Sequence, residues 1–165
     1  MSMRIIIGAD PVGFVLKNAV KDSLQKESIV VTDITETDDV DYYSVGFEVG
    51  KAISEGKYDL GFMFCGTGMG VNIVANKFNG VYSALCESVE TAALSRKINN
   101  ANVLAMGGMI VTPYLAKKMV KAFMETEFSY GLAEADPSFL QSAYKTVQNL
   151  EPKITQYNVE KNNTE

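Results

Sequence analysis

At residues 65–70 the chain reads Cys65-Gly66-Thr67-Gly68-Met69-Gly70, a thiol followed by three alternating glycines. Backbone without side chains at every second position lets amide N–H groups close on an anion, and a helix starting there adds positive potential. A thiol in such surroundings is favoured as the thiolate, the form that acts as a base. The ordinary fate of a free Cys is burial as a small apolar residue. The amide nest decides for chemistry at Cys65, because a core cysteine needs none beside it. The spacing is neither Gly-x-Gly-x-x-Gly nor a Walker A loop, which would continue Gly-Lys-Ser/Thr, so a nucleotide is not the expected ligand. Cys86 has no comparable neighbours and reads as structural.

Three further positions carry polar groups suited to a small hydroxylated ligand. Asp10, in Gly8-Ala9-Asp10-Pro11-Val12-Gly13, either holds hydroxyls or caps the helix that follows. In Asp41-Tyr42 the Asp is expected to cap a helix and the Tyr to line a crevice. Asn99 offers a carboxamide to a substrate oxyanion, or else ends its helix in the left-handed conformation.

The chain has no histidine. A Ser-His-Asp or Cys-His pair therefore cannot be assembled from it alone, a His-ligated metal site is excluded, and two Cys make no thiolate cage. Acid–base work near neutral pH falls to a Cys, a carboxylate, a Lys or a partner chain.

These residues need elements to hold them. Apolar runs at 4–9, 29–34, 60–65, 81–85 and 103–106 are continuous rather than alternating, as in strands covered on both faces. Between them lie helical stripes: Val12, Leu16, Ala19, Val20 and Leu24, with Lys17, Lys21 and Lys26 placed elsewhere on the wheel, then Val45, Val49, Ala52 and Ile53, ending at Gly56. Thr112-Pro113 opens a helix with Leu115, Met119, Val120 and Phe123 inward, and Asp136-Pro137 opens a last one expected to reach about residue 150. The pattern predicts an α/β fold: a single doubly wound, Rossmann-like domain over residues 1–150, with a five-stranded parallel sheet and helices on both faces. Residues 151–165 read as a polar C-terminal tail that frays or packs on a neighbouring subunit. Ligands of such sheets bind at the carboxyl ends of the strands, where Asp10 and Cys65 fall.

With 165 residues, 47 % hydrophobic, the chain can bury one core without disulfide or metal support. Its formal charge of -5 argues against nucleic acid or an anionic membrane as partner. Met1-Ser2-Met3-Arg4 shows no signal-peptide pattern, and no apolar run approaches a membrane span, so a cytoplasmic location is expected.

Taken together, Ile7-Gly8-Ala9-Asp10-x-x-Gly13-Phe14-x-Leu16-Lys17, Val40-Asp41-Tyr42, the Cys65–Gly70 loop, Ala75-Asn76-Lys77 and Asn99-x-Ala101-Asn102-Val103-Leu104 resemble the ribose-5-phosphate isomerase B and galactose-6-phosphate isomerase group. The resemblance runs from residue 4 to about residue 131. It implies an aldose–ketose isomerase of a small-molecule sugar phosphate, working through a cis-enediolate without metal or organic cofactor. Cys65 would move a proton between C1 and C2. Thr67 and the amides of Gly66, Gly68, Met69 and Gly70 would hold the enediolate oxygens, with Asp10 and Tyr42 on the substrate and Asn99 at its reacting end. It further implies a homodimer or tetramer with an active site shared between subunits. Preorganised amides suit an enediolate, whose charge sits on oxygen.

The departures are as definite. Pro11 and Ile98 stand where members carry His, Ile98 at the place of the ring-opening His. Met109 replaces an Arg, and Leu132-Ala133-Glu134-Ala135-Asp136 replaces a segment with Gly-Arg-His and a further Arg for phosphate. Three readings accommodate this. The first is a homomeric isomerase with another anchor, such as Lys145, Lys97 or Arg96, acting on an open-chain substrate. A four-carbon ketose phosphate has no free hydroxyl with which to close a ring. The second is the Cys-bearing subunit of a heteromeric galactose-6-phosphate isomerase, its partner lending His and Arg. The third is a non-catalytic regulator that binds sugar phosphate, against which the intact Cys65 and Thr67 speak.

Overall fold

The computed structural model describes residues 3–162; Met1-Ser2 and the last three residues of the predicted tail lie outside them. The chain alternates β1 (Ile5–Ala9), α1 (Phe14–Lys26), β2 (Val31–Asp33), α2 (Tyr42–Ser54), β3 (Leu60–Cys65), α3 (Met69–Ala75), β4 (Ser83–Leu85), α4 (Val89–Asn99), β5 (Val103–Gly107) and α5 (Pro113–Glu125), then closes with α6 (Pro137–Asn162). All strand pairs are parallel, in the order β2-β1-β3-β5-β4. The chain leaves β1 towards one edge and β3 towards the other. The crevice expected of such a sheet therefore opens between the carboxyl ends of β1 and β3.

The central strands are buried on both faces, which is why their sequences run apolar without alternation. Successive side chains still point opposite ways. Ile5, Ile7, Phe62 and Phe64 meet Leu16 and Val20 of α1 and Met119 and Phe123 of α5. Ile6, Met63 and Cys65 meet Val45 and Val49 of α2 and Val71 of α3. Each fully buried side chain of this size contributes roughly 1.5–3 kcal/mol. Cys65 thus belongs to the α2–α3 face of the core while ending its strand at the crevice.

The edge strand β4 is braced by Asn76 and Asn102, two asparagines of the family-like motifs. Asn76 donates to Ser83 O at 2.9 Å and accepts from Ser83 N at 2.8 Å, and Asn102 brackets Gly80 O and Tyr82 N at 2.8 Å each. Both asparagines are structural.

Three expectations need correction. Lys17 lies wholly inside, not on the outer side of α1. Its ammonium donates to Asp33 Oδ2 at 2.7 Å and to Thr35 O, with the Phe14 ring 4.4 Å away. The partner that makes its burial tolerable sits on β2, out of reach of any pattern within α1. Val12, placed on the buried stripe, precedes the helix and is exposed. The last helix also runs on past residue 150 to Asn162 despite Pro152, which removes one interior hydrogen bond. Just before that proline Glu151 is pinned, accepting from Gly80 N at 3.1 Å and from the Tyr82 hydroxyl at 2.5 Å. No helix among the described residues is long and apolar enough to cross a membrane.

Burial pushes the Asp33 carboxyl upward, but hydrogen bonds from Lys17, Lys21 and the Thr35 amide outweigh it and hold the group below the usual carboxylate range. A depressed carboxylate contributes stability above its unfolded value of about 3.9 and loses it as pH falls through the folded value. We expect Lys17→Met to cost about 3 kcal/mol in urea denaturation at pH 7, since Asp33 and Thr35 O lose their inner partner while Lys21 remains. The acid limb of the stability–pH curve below about pH 4 should flatten in the variant. An unchanged midpoint and an unchanged acid limb would show that the cluster is not structural.

Candidate active site

β1 and β3 run in register, with Ala9 beside Phe64, so Asp10 and Cys65 emerge side by side at adjacent strand ends. Strand spacing puts their backbones about 4.8 Å apart. The Asp10 amide continues the ladder to Phe64 O at 3.1 Å. Gly13 allows α1 to start this close: a Cβ there would stand 2.5 Å from Phe64 C and 2.7 Å from Cys65 N. Asp10 Oδ1 accepts from Gly13 N at 2.8 Å, so its carboxylate steadies the turn into α1 with one oxygen and leaves the other out of that bond.

The loop after β3 folds back on the thiol. Gly68 N donates to Cys65 Sγ at 3.1 Å, and Thr67 Oγ1 accepts from Met69 N at 3.3 Å. The first of these bonds directs the Gly68 amide hydrogen at the sulfur. Gly68 sits at φ +78°, a left-handed conformation that needs glycine. A Cβ there would also meet Leu85 Cδ1 at 2.6 Å and the Met106 carbonyl carbon at 2.9 Å. Gly68→Ala should therefore cost about 1–3 kcal/mol and, by turning the amide off Cys65, lower kcat more than tenfold. At Gly66 the nearest obstacle is the flexible Met109 Sδ at 3.3 Å. Gly66→Ala should accordingly be the milder of the two, and equal effects in steady-state kinetics would contradict this account of the loop.

Tyr42 completes the lip. Its ring lies against Gly70, whose Cβ, if present, would be 2.6 Å from Tyr42 Cδ2. Asp41 precedes α2 as expected but caps no amide; its carboxylate accepts from the Tyr43 hydroxyl at 2.6 Å instead. Met69, exposed on the first turn of α3, and Met109 and Val12, which lean over Gly66, give the opening an apolar rim. Cys86 is pushed the other way from a reactive thiol: burial raises its pKa, only partly offset by bonds with Thr91 and Ser95.

The fold thus gathers Asp10, Tyr42, Cys65, Gly66, Thr67, Gly68, Met69 and Gly70. It does not bring Asn99 to them. Asn99 ends α4 four residues before Val103, and the register pairs Val103 with Gly61 but Gly107 with Cys65. Asn99 is therefore at the opposite end of the sheet, at least about 13 Å from Cys65 along the strand direction. The anchors considered for an acidic group lie at that far end too. Arg96 donates to Asn100 Oδ1 at 3.0 Å and Ala101 O at 2.7 Å, Lys97 donates to Gly131 O at 3.0 Å, and Lys145 is exposed on α6.

One support of the site was not read from the sequence. Thr35, buried, accepts from Ala9 N at 2.9 Å and is itself held by Lys17, so the Lys17–Asp33–Thr35 cluster fixes the strand end that carries Asp10. The only signal was Lys17 within the family-like motif, without a role attached.

The family model described as Ribose/Galactose Isomerase matches residues 5–136. A 4-deoxy-4-sulfo-D-erythrose isomerase of Clostridium sp. strain MSTE9 is 38 % identical over 155 residues, covering 92 % of this chain and 98 % of that one. A D-erythrulose-4-phosphate isomerase of Pectobacterium atrosepticum is 39 % identical over 132 residues, 78 % of this chain and 87 % of its own. Among solved structures, ribose-5-phosphate isomerase B of Mycoplasma genitalium with bound ribulose-5-phosphate superposes with a TM-score of 0.82 at 33 % identity, covering 92 % of this chain and 98 % of that one. The chain belongs to the Ribose/Galactose Isomerase family and is an enzyme of the sugar-phosphate isomerase class.

Proposed function

We propose that this enzyme interconverts an acyclic four-carbon aldose and its ketose, each bearing an acidic group on C4, with Cys65 as the base. The observation that carries the reading is the Cys65 thiol under the Gly68 amide, beside Asp10, in a chain with no histidine. A pentose or hexose phosphate rests mainly as a ring and must be opened by a proton donor. A four-carbon chain whose C4 is esterified or bonded to sulfur has no hydroxyl placed to close a five-membered ring. It arrives open and leaves the ring-opening His without a task. The two relatives named for erythrose and erythrulose derivatives support this substrate length.

From the ketose, the Cys65 thiolate takes a proton from C1, and the electron pair moves onto the C2 carbonyl oxygen to give the cis-enediolate. The amides of the 66–70 loop and the Thr67 hydroxyl hold the charged oxygens, the hydroxyl proton passes from O1 to O2, and the thiol returns its proton to C2. One base on one face serves both carbons. Asp10 and Tyr42 orient the remaining hydroxyls. Asn99 joins the reacting end from a second copy, since its own chain keeps it at the far end of the sheet.

Purified protein in deuterated water with erythrulose 4-phosphate or its 4-deoxy-4-sulfo analogue should place deuterium at C1 of the ketose and C2 of the aldose, followed by NMR. No exchange on either compound by folded protein would overturn the reading. Exchange that required an added His- and Arg-bearing homologue would replace it with the heteromeric one.

A further inference from the structure

β1 and β2 pair in register from Ile5 with Val31 to Ile7 with Asp33, and Ile34 N closes that ladder on Ile7 O at 3.0 Å. β2 ends at Asp33, whereas β1 runs two residues beyond Ile7, to Ala9, and delivers Asp10 to the crevice. In a parallel pair of this register the next bond would join Ala9 N to the carbonyl of Ile34. A side chain takes that place: Ala9 N donates to Thr35 Oγ1 at 2.9 Å.

Thr35 is 1 % exposed, and its backbone groups hold it from the far side. Its amide donates to Asp33 Oδ1 at 3.0 Å, and its carbonyl accepts from the Lys17 ammonium, which also donates to Asp33 Oδ2 at 2.7 Å. Lys17 belongs to α1, the helix whose entry turn carries the bond from Gly13 N to Asp10 Oδ1 at 2.8 Å. The end of β2 and the start of α1 are therefore tied together at Thr35, and its hydroxyl passes that restraint to the amide one residue before Asp10. On the other side, Asp10 N donates to Phe64 O at 3.1 Å. A buried amide left without an acceptor is costly, so the Gly8–Ala9 peptide turns towards another one when the hydroxyl is removed, and Asp10 turns with it.

Resting on the isomerase reading above, with Asp10 on the substrate's hydroxyls, we propose that Thr35 is a positioning residue for substrate binding. Its hydroxyl fixes the strand end from which the Asp10 oxygen left out of the Gly13 bond meets the sugar. Thr35 stands on the β2 side of β1, whereas Cys65 ends β3 on the opposite side, so proton transfer does not pass through it. Its loss falls on KM and spares kcat, the signature of binding shared by ground state and transition state.

The test is a cycle of Thr35→Val, Asp10→Asn and the double variant in steady-state kinetics, with erythrulose 4-phosphate or its 4-deoxy-4-sulfo analogue, whichever turns over faster. Thr35→Val keeps the shape of the side chain but removes the acceptor, and should raise KM about tenfold with kcat within threefold. Thr35→Ser keeps the hydroxyl and should stay within twofold of wild type in both constants. In the Asp10→Asn background, Thr35→Val should change KM less than twofold, because the carboxylate it positions is already gone. Should Thr35→Val fail to fold, Thr35→Ala, with room for a water on Ala9 N, takes its place in the cycle. A KM unchanged by the loss of the hydroxyl, an effect on kcat alone, an equal effect of Thr35→Ser, or an effect that multiplies with Asp10→Asn overturns the positioning role and leaves the isomerase standing. No turnover of either compound by folded wild-type protein takes both down together.

Discussion

Cys65→Ala will lower kcat by about 10³-fold or more, the upper range for removing a group that transfers the proton in the rate-limiting chemistry. The fold should tolerate the change. Cys65 ends β3 with its backbone in the ladder to Gly107, and only one sulfur is lost from its packing among Val45, Val71 and Ala105. Substrate binding should be kept within threefold, measured by protection against thermal unfolding, because Asp10, Tyr42 and the loop amides remain. Cys65→Ser should be nearly as inactive, since a hydroxyl of ordinary acidity has no comparable anionic form at neutral pH. Cys86→Ala is the control. Its thiol is buried against α4 and held protonated, so steady-state turnover should stay within twofold of wild type. A Cys65→Ala enzyme retaining more than about a tenth of wild-type kcat would assign the proton transfer elsewhere.

The second large effect concerns Asn99. Alone, Asn99→Ala should cost about 10²-fold in kcat, the scale of losing one oxyanion donor. Its position makes a sharper test. Cys65 and Asn99 stand at opposite ends of one sheet, so a functional pair of them must come from two chains. Co-expressing Cys65→Ala and Asn99→Ala chains with different tags, and purifying on both, yields dimers made of one chain of each kind. One site then combines an intact Cys65 with an intact Asn99, and the other carries both lesions. About half of the wild-type turnover per dimer should return. Recovery no greater than the mean of the two parent variants would mean that Asn99 acts within its own subunit or not at all.

Much of the architecture was legible because burial on both faces writes itself as unbroken apolar runs: 60–65 and the core of 4–9 and 103–106 became strands of a parallel sheet. Cys65 stood out because a thiol at a strand end is followed by three alternating glycines, and the structure gives two of them a local reason: Gly68 sits at φ +78° and Gly70 lies against the Tyr42 ring. Lys17 did not. A lysine in a helix reads as solvated, and its burial depends on Asp33, sixteen residues on, reaching the same place only once β2 lies beside β1. Asn99 illustrates the other gap. Its residue type was suited to an oxyanion, but strand register decides which end of the sheet it occupies, and register is a property of pairing between distant segments. The length of α6 escaped because Pro152 signals a stop. The anchor that carries the helix through it, Glu151 on Gly80 and Tyr82, joins residues about seventy apart.

The central claim is that a site with Cys65 and no histidine acts on a sugar that needs no ring opening. The measurement that bears on it most directly is kcat/KM of the wild-type enzyme for an acyclic four-carbon ketose with an acidic C4 group against that for ribose 5-phosphate, which closes a furanose ring. The four-carbon compound should be preferred by at least 10²-fold, and Ile98→His should narrow the gap by raising the ribose reaction alone. Equal or greater kcat/KM for ribose 5-phosphate in the wild-type enzyme would contradict the account.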